Sequence, residues 1–246
     1  MTDGHLDNPA ARLHAIMTQF RSIEPQQAAQ RGIGLALGIV ELPQSDMLFE
    51  IASFIELAAK TKREITKLEE ENHSLLLRWL KPFNDCIPLI LNLQYTVGQV
   101  NDRFGDKEMY SLEICADLLH RRRPEVVIDD DHLIALIDLV REAIDAITTD
   151  DELPIEVRFQ LIDRLKDVER ALIFFRTTGY DDVESAMDSL SGTIIREPAA
   201  QKSKTPVTWW QKLWANIGLA ATGTKAIAET TSTVMQAIES VSPSSQ

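Results

Sequence analysis

The chain has 246 residues, a formal net charge of −13 at pH 7 and a pI of about 4.8. A hydrophobic fraction of 44%, with only 10 Gly and 10 Pro, is typical of a folded protein and argues against a disordered one. The negative charge opposes binding to the phosphate backbone of nucleic acids, so we expect no nucleic-acid partner. Aromatic residues make up only 6% and alternating β-branched runs are scarce, which favours an all-α fold.

Residues 1–44 are predicted to form an N-terminal helical cap with a glycine-containing connection. Asn8 and Pro9 suit the N-cap and the first position of a short amphipathic helix that ends before Pro25. The following sequence, RGIGLALGIVELP, predicts either a loop with an apolar insertion or a short helix packed closely against a neighbour. A phosphate-binding loop is disfavoured, because no strand is predicted before the glycines of this segment and no Lys-Ser/Thr pair follows them.

The longest helical pattern runs from Ser45 to Lys81, between two prolines. Its apolar positions are spaced alternately four and three residues apart, as in the seam of a coiled coil. We predict one long helix here, on which residues 45–195 build a mostly antiparallel helical bundle. The seam is expected to bind another helix, and its one strongly polar residue, Asn72, is expected to set the register of that pairing. It consists of Met47, Ile51, Phe54, Ala58, Thr61, Ile65, Leu68, Asn72, Leu75 and Trp79.

The rest of the predicted bundle follows Pro82, which we expect to break the chain. A very apolar helix should start near Asn84 or Asp85, with Pro88 in its first turn. Further helices are predicted to begin near Asp106, near Asp130 or Asp131, after Pro154 and at Asp181. In the helix after Pro154, one helical period joins Ile155, Phe159, Ile162, Leu165, Val168, Leu172 and Phe175.

The end of the chain is predicted to be a linker, residues 196–206, followed by an amphipathic helix over residues 207–241. The contact residues expected in this helix are Trp209, Trp210, Lys212, Leu213, Trp214 and Ile217. Trp beside Lys suits a boundary between water and lipid. The apolar face is narrow, however, and continues through Ala221, Ala228, Met235 and Ile238. Docking on the bundle or on a second copy is therefore favoured over contact with a membrane.

The polar clusters are interpreted as helix caps and solvated faces. Residues 129–132 (Asp-Asp-Asp-His) resemble metal ligands, but consecutive side chains cannot all reach one ion, and a helix N-terminus favours negative charge. Glu70 and His73 form one Glu-x-x-His pair, which cannot make a two-metal site. Cys86 and Cys115 are expected to be buried thiols. We therefore predict no catalytic residue, no metal and no cofactor.

These features favour a non-enzymatic interaction or scaffold protein that self-associates and binds a protein partner through the seam or the C-terminal helix. Two other functions stay open. One is a peripheral membrane or membrane-perturbing protein that acts through the Trp-rich helix. The other is an acidic inhibitor of the immunity type that binds a basic protein. We expect a cytoplasmic location, because residues 1–8 lack a signal-peptide pattern and no apolar run is long enough to span a membrane.

Overall fold

The computed structural model describes residues 7–39, 44–69, 71–92 and 94–220, and all regular secondary structure in these ranges is helical. The all-α fold class predicted from the sequence is confirmed. The helices are α1 (Pro9–Arg21), α2 (Ala29–Leu37), α3 (Gln44–Thr66), α4 (His73–Leu76), α5 (Leu80–Leu91), α6 (Val97–Asn101), α7 (Asp106–Arg122), α8 (Asp130–Thr148), α9 (Ile155–Ile173), α10 (Phe175–Thr178), α11 (Tyr180–Arg196), α12 (Pro198–Lys202) and α13 (Lys204–Ala220).

The chain divides into two compact units, each with its own hydrophobic core. Unit 1 comprises Met1–Glu125 and Arg176–Thr178, and unit 2 comprises Val126–Phe175 and Gly179–Gln246. This boundary falls inside the single bundle that we predicted over residues 45–195. Sequence reasoning missed it because the connection after α7 is short and carries no change of composition, so it resembles an ordinary link between two helices.

The core of unit 1 is centred on Phe83. The rings of Phe54, Trp79 and Phe104 lie around it, with centroid separations of 5.3, 6.1 and 6.2 Å. Helix α1 packs on α2, α3 and α7, while α5 packs on α2 and α3. The N-cap predicted for α1 is present, because the Asn8 side chain accepts a hydrogen bond from the backbone of Ala11 at 2.9 Å.

Helix α2 resolves the two interpretations of the glycine-containing segment in favour of a closely packed short helix. A Cβ atom added at Gly32 would lie 2.6 Å from Cγ2 of Val97, so only glycine permits this approach. The helix is closed by Gly38, whose φ of 74° is in the left-handed region.

The single helix predicted from Ser45 to Lys81 is wrong, since α3 ends at Thr66 and α4 is only one turn long. Asn72 lies at the N-cap of α4, where its side chain accepts a hydrogen bond from the backbone of Leu75 at 3.2 Å. Asn side chains compete for backbone N–H groups in this way, which favours a helix start over a helix interior. Asn72 is therefore a cap and not a register residue on a continuous seam.

Pro82 does not break the chain as expected. It is the third residue of α5, in the first turn, where a backbone N–H would have no intrahelical partner. The helix continues through Pro88, which lies in its interior. Helix α5 thus begins four residues before the predicted Asn84.

The described residues of unit 2 form four long helices and the short α12. Helix α8 packs on α9 and α13, and α11 packs on α9, α12 and α13. Each long helix therefore contacts two of the others. The start of α8 is capped by Asp129, whose two carboxylate oxygens contact the backbone N–H and the ring Nδ1 of His132 at 2.9 and 2.7 Å. This is the capping role predicted for residues 129–132, with Asp129 as the N-cap in place of Asp130 or Asp131.

Candidate protein-interaction surface

The predicted seam residues in α3 lie in the core of unit 1. Ile51, Phe54, Ala58, Thr61 and Ile65 are each at most 2% exposed. Met47 is half-buried, and both Leu68 and Trp79 are buried. Leu75, by contrast, is 54% exposed in α4. The structure therefore brings most of the seam together inside one unit instead of presenting it to a second helix.

The row of apolar residues in α13 is likewise internal. Trp210, Leu213, Trp214 and Ile217 are each at most 2% exposed and belong to the core of unit 2. Trp210 donates its indole N–H to the hydroxyl of Ser191 in α11 at 2.6 Å. Docking on the helices of its own unit, one of the two arrangements that the sequence favoured, accounts for this face of the helix.

The polar side of α13 is more exposed to solvent than its apolar row. Trp209 is half-buried, and the Lys212 Nζ atom lies 4.3 Å from the centroid of its ring, which is a cation–π contact. The same Nζ atom lies 3.7 Å from Oε2 of Glu142 in α8. The predicted continuation of this face at Ala221, Ala228, Met235 and Ile238 lies outside the described residues.

The segment 196–206 is not the linker that we predicted. It contains α12, in which Ala200 is fully buried. Ser203 is also buried, and its hydroxyl donates to Oδ2 of Asp150 at 2.8 Å. The prolines that suggested a linker instead occupy the first turns of helices, since Pro198 starts α12 and Pro206 is the third residue of α13.

Helix α9 carries two rows of apolar residues on different sides. The inner row is buried in unit 2 and consists of Val157, Leu161, Leu165, Val168 and Leu172. The second row, here called the outer row, consists of Ile155, Phe159, Ile162 and Ile173. At 3.6 residues per turn, the centres of the two rows lie about 120° apart around the helix. The sequence analysis merged parts of both rows into one period, and the structure separates them.

The outer row is exposed. Phe159 is 65% exposed, Ile155 is 55% exposed and Ile173 is 43% exposed, while Ile162 is half-buried. Ile134 on α8 is 59% exposed and lies on the side of that helix turned away from its buried residues. The charged residues Asp163, Lys166 and Arg170 lie between Ile162 and Ile173 and are exposed as well.

Two sets of polar contacts join α8 to α9. Arg141 Nε lies 2.7 Å from Oε1 of Glu169. Arg158 donates to the backbone carbonyl of Thr148 at 3.1 Å, and its Nη1 atom lies 3.9 Å from Oδ1 of Asp151. These contacts hold the two helices in one register.

Two buried charged side chains of unit 1, Arg12 and Asp7, contact partners within that unit. Arg12 Nη1 lies 2.6 Å from Oε2 of Glu125, and Lys60 Nζ lies 3.5 Å from Oε1 of the same carboxylate. Asp7 Oδ2 lies 2.6 Å from Nδ1 of His120. Because Arg12 is 2% exposed, its contact with Glu125 stabilises a charge that would otherwise be costly to bury.

Glu50 is a buried carboxyl group with an unusual titration. It is 2% exposed, and it accepts a 2.8 Å hydrogen bond from the hydroxyl of Thr177. Burial raises the pKa of Glu50 to about 7, and the hydrogen bond from Thr177 opposes this rise. Burial also raises the pKa of the Cys86 and Cys115 thiols to about 11, so both thiols are protonated near neutral pH.

Comparison with protein-family models, curated proteins and solved structures finds no match for this chain. In the part of the chain that the structure describes, no three His, Cys, Asp or Glu side chains are placed to hold a metal ion. Over the same ranges, no helix has both the length and the apolar character that a membrane span needs. The outer row of α9 is a set of large apolar side chains that packing within unit 2 leaves exposed, and single apolar residues such as Leu75 and Tyr110 are exposed elsewhere.

Proposed function

We propose that this chain is a non-enzymatic, cytoplasmic interaction protein that binds a protein partner through the outer row of α9 and the adjoining side of α8. The observation that supports this proposal is the second apolar row of α9, with Phe159 65% exposed. A helix of a soluble domain needs only one apolar side to pack into its own core. Clustered large apolar side chains on a surface are typical of protein interaction sites.

We further propose that α8, α9, α11 and α13 form an antiparallel four-helix bundle. The contacts of Arg141 with Glu169 and of Arg158 with Thr148 support this arrangement, because they pair the middle of α8 with the later part of α9 and the end of α8 with its start. In such a bundle Ile134 and Ile173 lie at one end of the outer surface, and Ile155 and Phe159 lie at the other.

The energy available from this surface is substantial. Full burial of a Phe or Ile side chain contributes roughly 1.5–3 kcal/mol. Phe159, Ile155, Ile134 and Ile173 each leave 43% or more of their surface in water, so a partner that covers them recovers much of this energy. The partner-binding role thus moves from the seam and the Trp-bearing helix to a different surface.

A membrane-active function through the Trp-rich helix requires α13 to leave unit 2. That step would expose Trp210, Leu213, Trp214 and Ile217, at roughly 1.5–3 kcal/mol each, or about 6–12 kcal/mol together. This cost is comparable to the whole stability of a typical domain, about 5–15 kcal/mol. We therefore rank protein binding above membrane binding.

The proposal is tested by comparing three immobilised full-length chains in cell extract: wild type, Phe159→Asp and Tyr110→Asp. Tyr110 is a matched control, since it is an aromatic residue that is 59% exposed on α7 of unit 1. We expect wild type and Tyr110→Asp to retain a protein that Phe159→Asp does not, and the purified protein to rebind in the same order. Equal retention by all three chains would contradict the proposal.

A further inference from the structure

We propose that residues 176–178, here called the strap, close over Glu50 of α3 while its carboxyl group is protonated and open as that group ionises. The strap belongs to unit 1, although the residues on both sides of it belong to unit 2. It makes up most of α10, the short helix between α9 and α11. Such a strap makes one region of unit 1 sensitive to pH, and it does not involve the outer row of α9.

Two contacts hold the strap on α3. The Thr177 hydroxyl donates to Oε2 of Glu50 at 2.8 Å, and Lys60 Nζ donates to the backbone carbonyl of Thr178 at 3.4 Å. Glu50 and Lys60 are separated by about 15 Å along the axis of α3, so the strap is fixed at two points of one helix. Glu50 is 2% exposed and Thr177 is 3% exposed, which shows that both side chains are shielded from water where they meet.

The backbone of the strap suits a local opening. Helix α10 is a single turn of four residues, and a helix this short is not stable without its contacts. Gly179 follows it with φ 82° and ψ −168°, a conformation that is essentially limited to glycine. Unwinding lengthens the chain from about 1.5 to about 3.3 Å per residue. This added length lets the strap leave α3 while Phe175 and Tyr180 stay buried in the core of unit 2.

Glu50 is a carboxyl group whose burial is not offset by a charge. In the part of the chain that the structure describes, its pKa is changed by burial and by the Thr177 hydroxyl. Burial raises the pKa to about 7, and the hydrogen bond from Thr177 opposes this rise. Burial is the larger effect, so the ionised carboxylate is more stable in water, under an open strap, than in the closed structure.

The described charged groups of α3 and of the elements packed on it have other partners or are exposed. His14 on α1 is the exception, and burial lowers its pKa, so it is uncharged near neutral pH. Groups with other partners include Lys60 on α3, Arg12 on α1, His73 on α4 and His120 on α7. Exposed groups include Arg31 on α2, Lys81 and Asp85 on α5, and Arg176 on the strap.

The direction of the pH dependence follows from the two forms of the strap. Under the open strap Glu50 has its ordinary pKa of 4.5, and under the closed strap its pKa is about 7. Between these pH values the closed form holds a proton that the open form releases, so opening becomes more favourable as the pH rises. The equilibrium constant for opening should increase about 100-fold from pH 4.5 to pH 8 and change little at higher pH.

Hydrogen exchange of the full chain between pH 4.5 and pH 8 tests this inference. The reporter is the backbone N–H of Gly179, which donates to the carbonyl of Phe175 at 2.8 Å in the closed turn. After correction for the intrinsic pH dependence of exchange, its protection in the wild type should fall about 100-fold over this range. Protection should stay level in Glu50→Gln, whose neutral amide still accepts from Thr177. The matched control is Glu56→Gln, an exposed position of α3, which should behave as the wild type does.

Protection of Gly179 that does not change with pH in the wild type overturns the inference, as does a fall that persists in Glu50→Gln. Exchange of Gly179 that is as slow as that of amides in the middle of α3 also overturns it, because the strap would then open only when the protein unfolds. Circular dichroism checks that Glu50→Gln is folded, and Thr177→Val replaces it if it is not. Since the hydroxyl of Thr177 favours the ionised form, its loss should extend the fall in protection to higher pH, and an unchanged range overturns the inference.

Discussion

The two rows of α9 predict effects of very different size for two neighbouring truncations. Leu161 is fully buried in the core of unit 2, and removal of such a side chain to alanine lowers the free energy of unfolding by about 2–5 kcal/mol. Phe159 is 65% exposed, so in a single chain its truncation removes little buried surface. Alanine also has the higher helix propensity by roughly 0.5 kcal/mol. We therefore expect Phe159→Ala to change the stability of the monomer by less than about 0.5 kcal/mol.

The assay is urea denaturation followed by circular dichroism, at a protein concentration low enough that light scattering reports single chains. Leu161→Ala should lower the transition midpoint, and Phe159→Ala should leave it within error of wild type. Equal destabilisation by both substitutions in the monomer would show that Phe159 is buried and would refute the two-row description of α9.

Three further predictions concern buried or capping groups. The pKa of Glu50 is about 7 in the folded chain and 4.5 for the ordinary group, so between these pH values the folded state holds a proton that the unfolded state releases. The free energy of unfolding should therefore fall by about 3 kcal/mol as the pH rises from 4.5 to 7. Urea titrations at several pH values should show this fall in the wild type and not in Glu50→Gln. Ser191→Ala leaves the buried indole N–H of Trp210 without its acceptor and should cost about 1–3 kcal/mol in the same assay. Asp129→Ala removes the cap of α8 and should cost about 0.5–2 kcal/mol; no loss would show that the cap is dispensable.

Local chemistry made several features predictable. The start of α1 followed from Asn8 and Pro9, since a side-chain acceptor and a missing N–H suit those positions whatever the tertiary structure. The acidic sequence at residues 129–132 likewise indicated a helix start, and Asp129 supplies the cap. The burial of Cys86 and Cys115 followed from their apolar surroundings in sequence. Each of these predictions depends only on residues within one or two turns.

Features that depend on distant contacts were not predictable. The heptad spacing through Asn72 is present in the sequence, but packing in unit 1 buries Ile65 in α3 and Trp79 at the N-cap of α5 and leaves Leu75 exposed. The spacing of three and four residues continues across the break between α3 and α4, so the spacing alone does not show where α3 ends. The composition of the segment 196–206 wrongly indicated a linker, because the burial of Ala200 depends on neighbours that the local sequence does not reveal.

The outer row of α9 was hidden for a related reason. Ile155, Phe159 and Ile162 have helical spacing, and so do Leu165, Val168 and Leu172, so a single continuous period joins them on paper. The side that faces the core is decided by α8 and α11, which pack against α9 from elsewhere in the chain. One signal was available: the helix has more apolar positions than one face can hold. Val157 and Leu161 interleave with Ile155 and Phe159 two residues apart, which places apolar residues on two sides.

The most direct test of the account is a photochemical cross-link from position 159 of the full chain in cell extract, with a photoreactive phenylalanine analogue in place of Phe159. After irradiation, peptide mass spectrometry identifies the residues joined to position 159. The account predicts a covalent complex in which position 159 is joined to a partner protein. A chain that remains uncross-linked, or that joins position 159 only to residues of its own unit 2, would contradict the account.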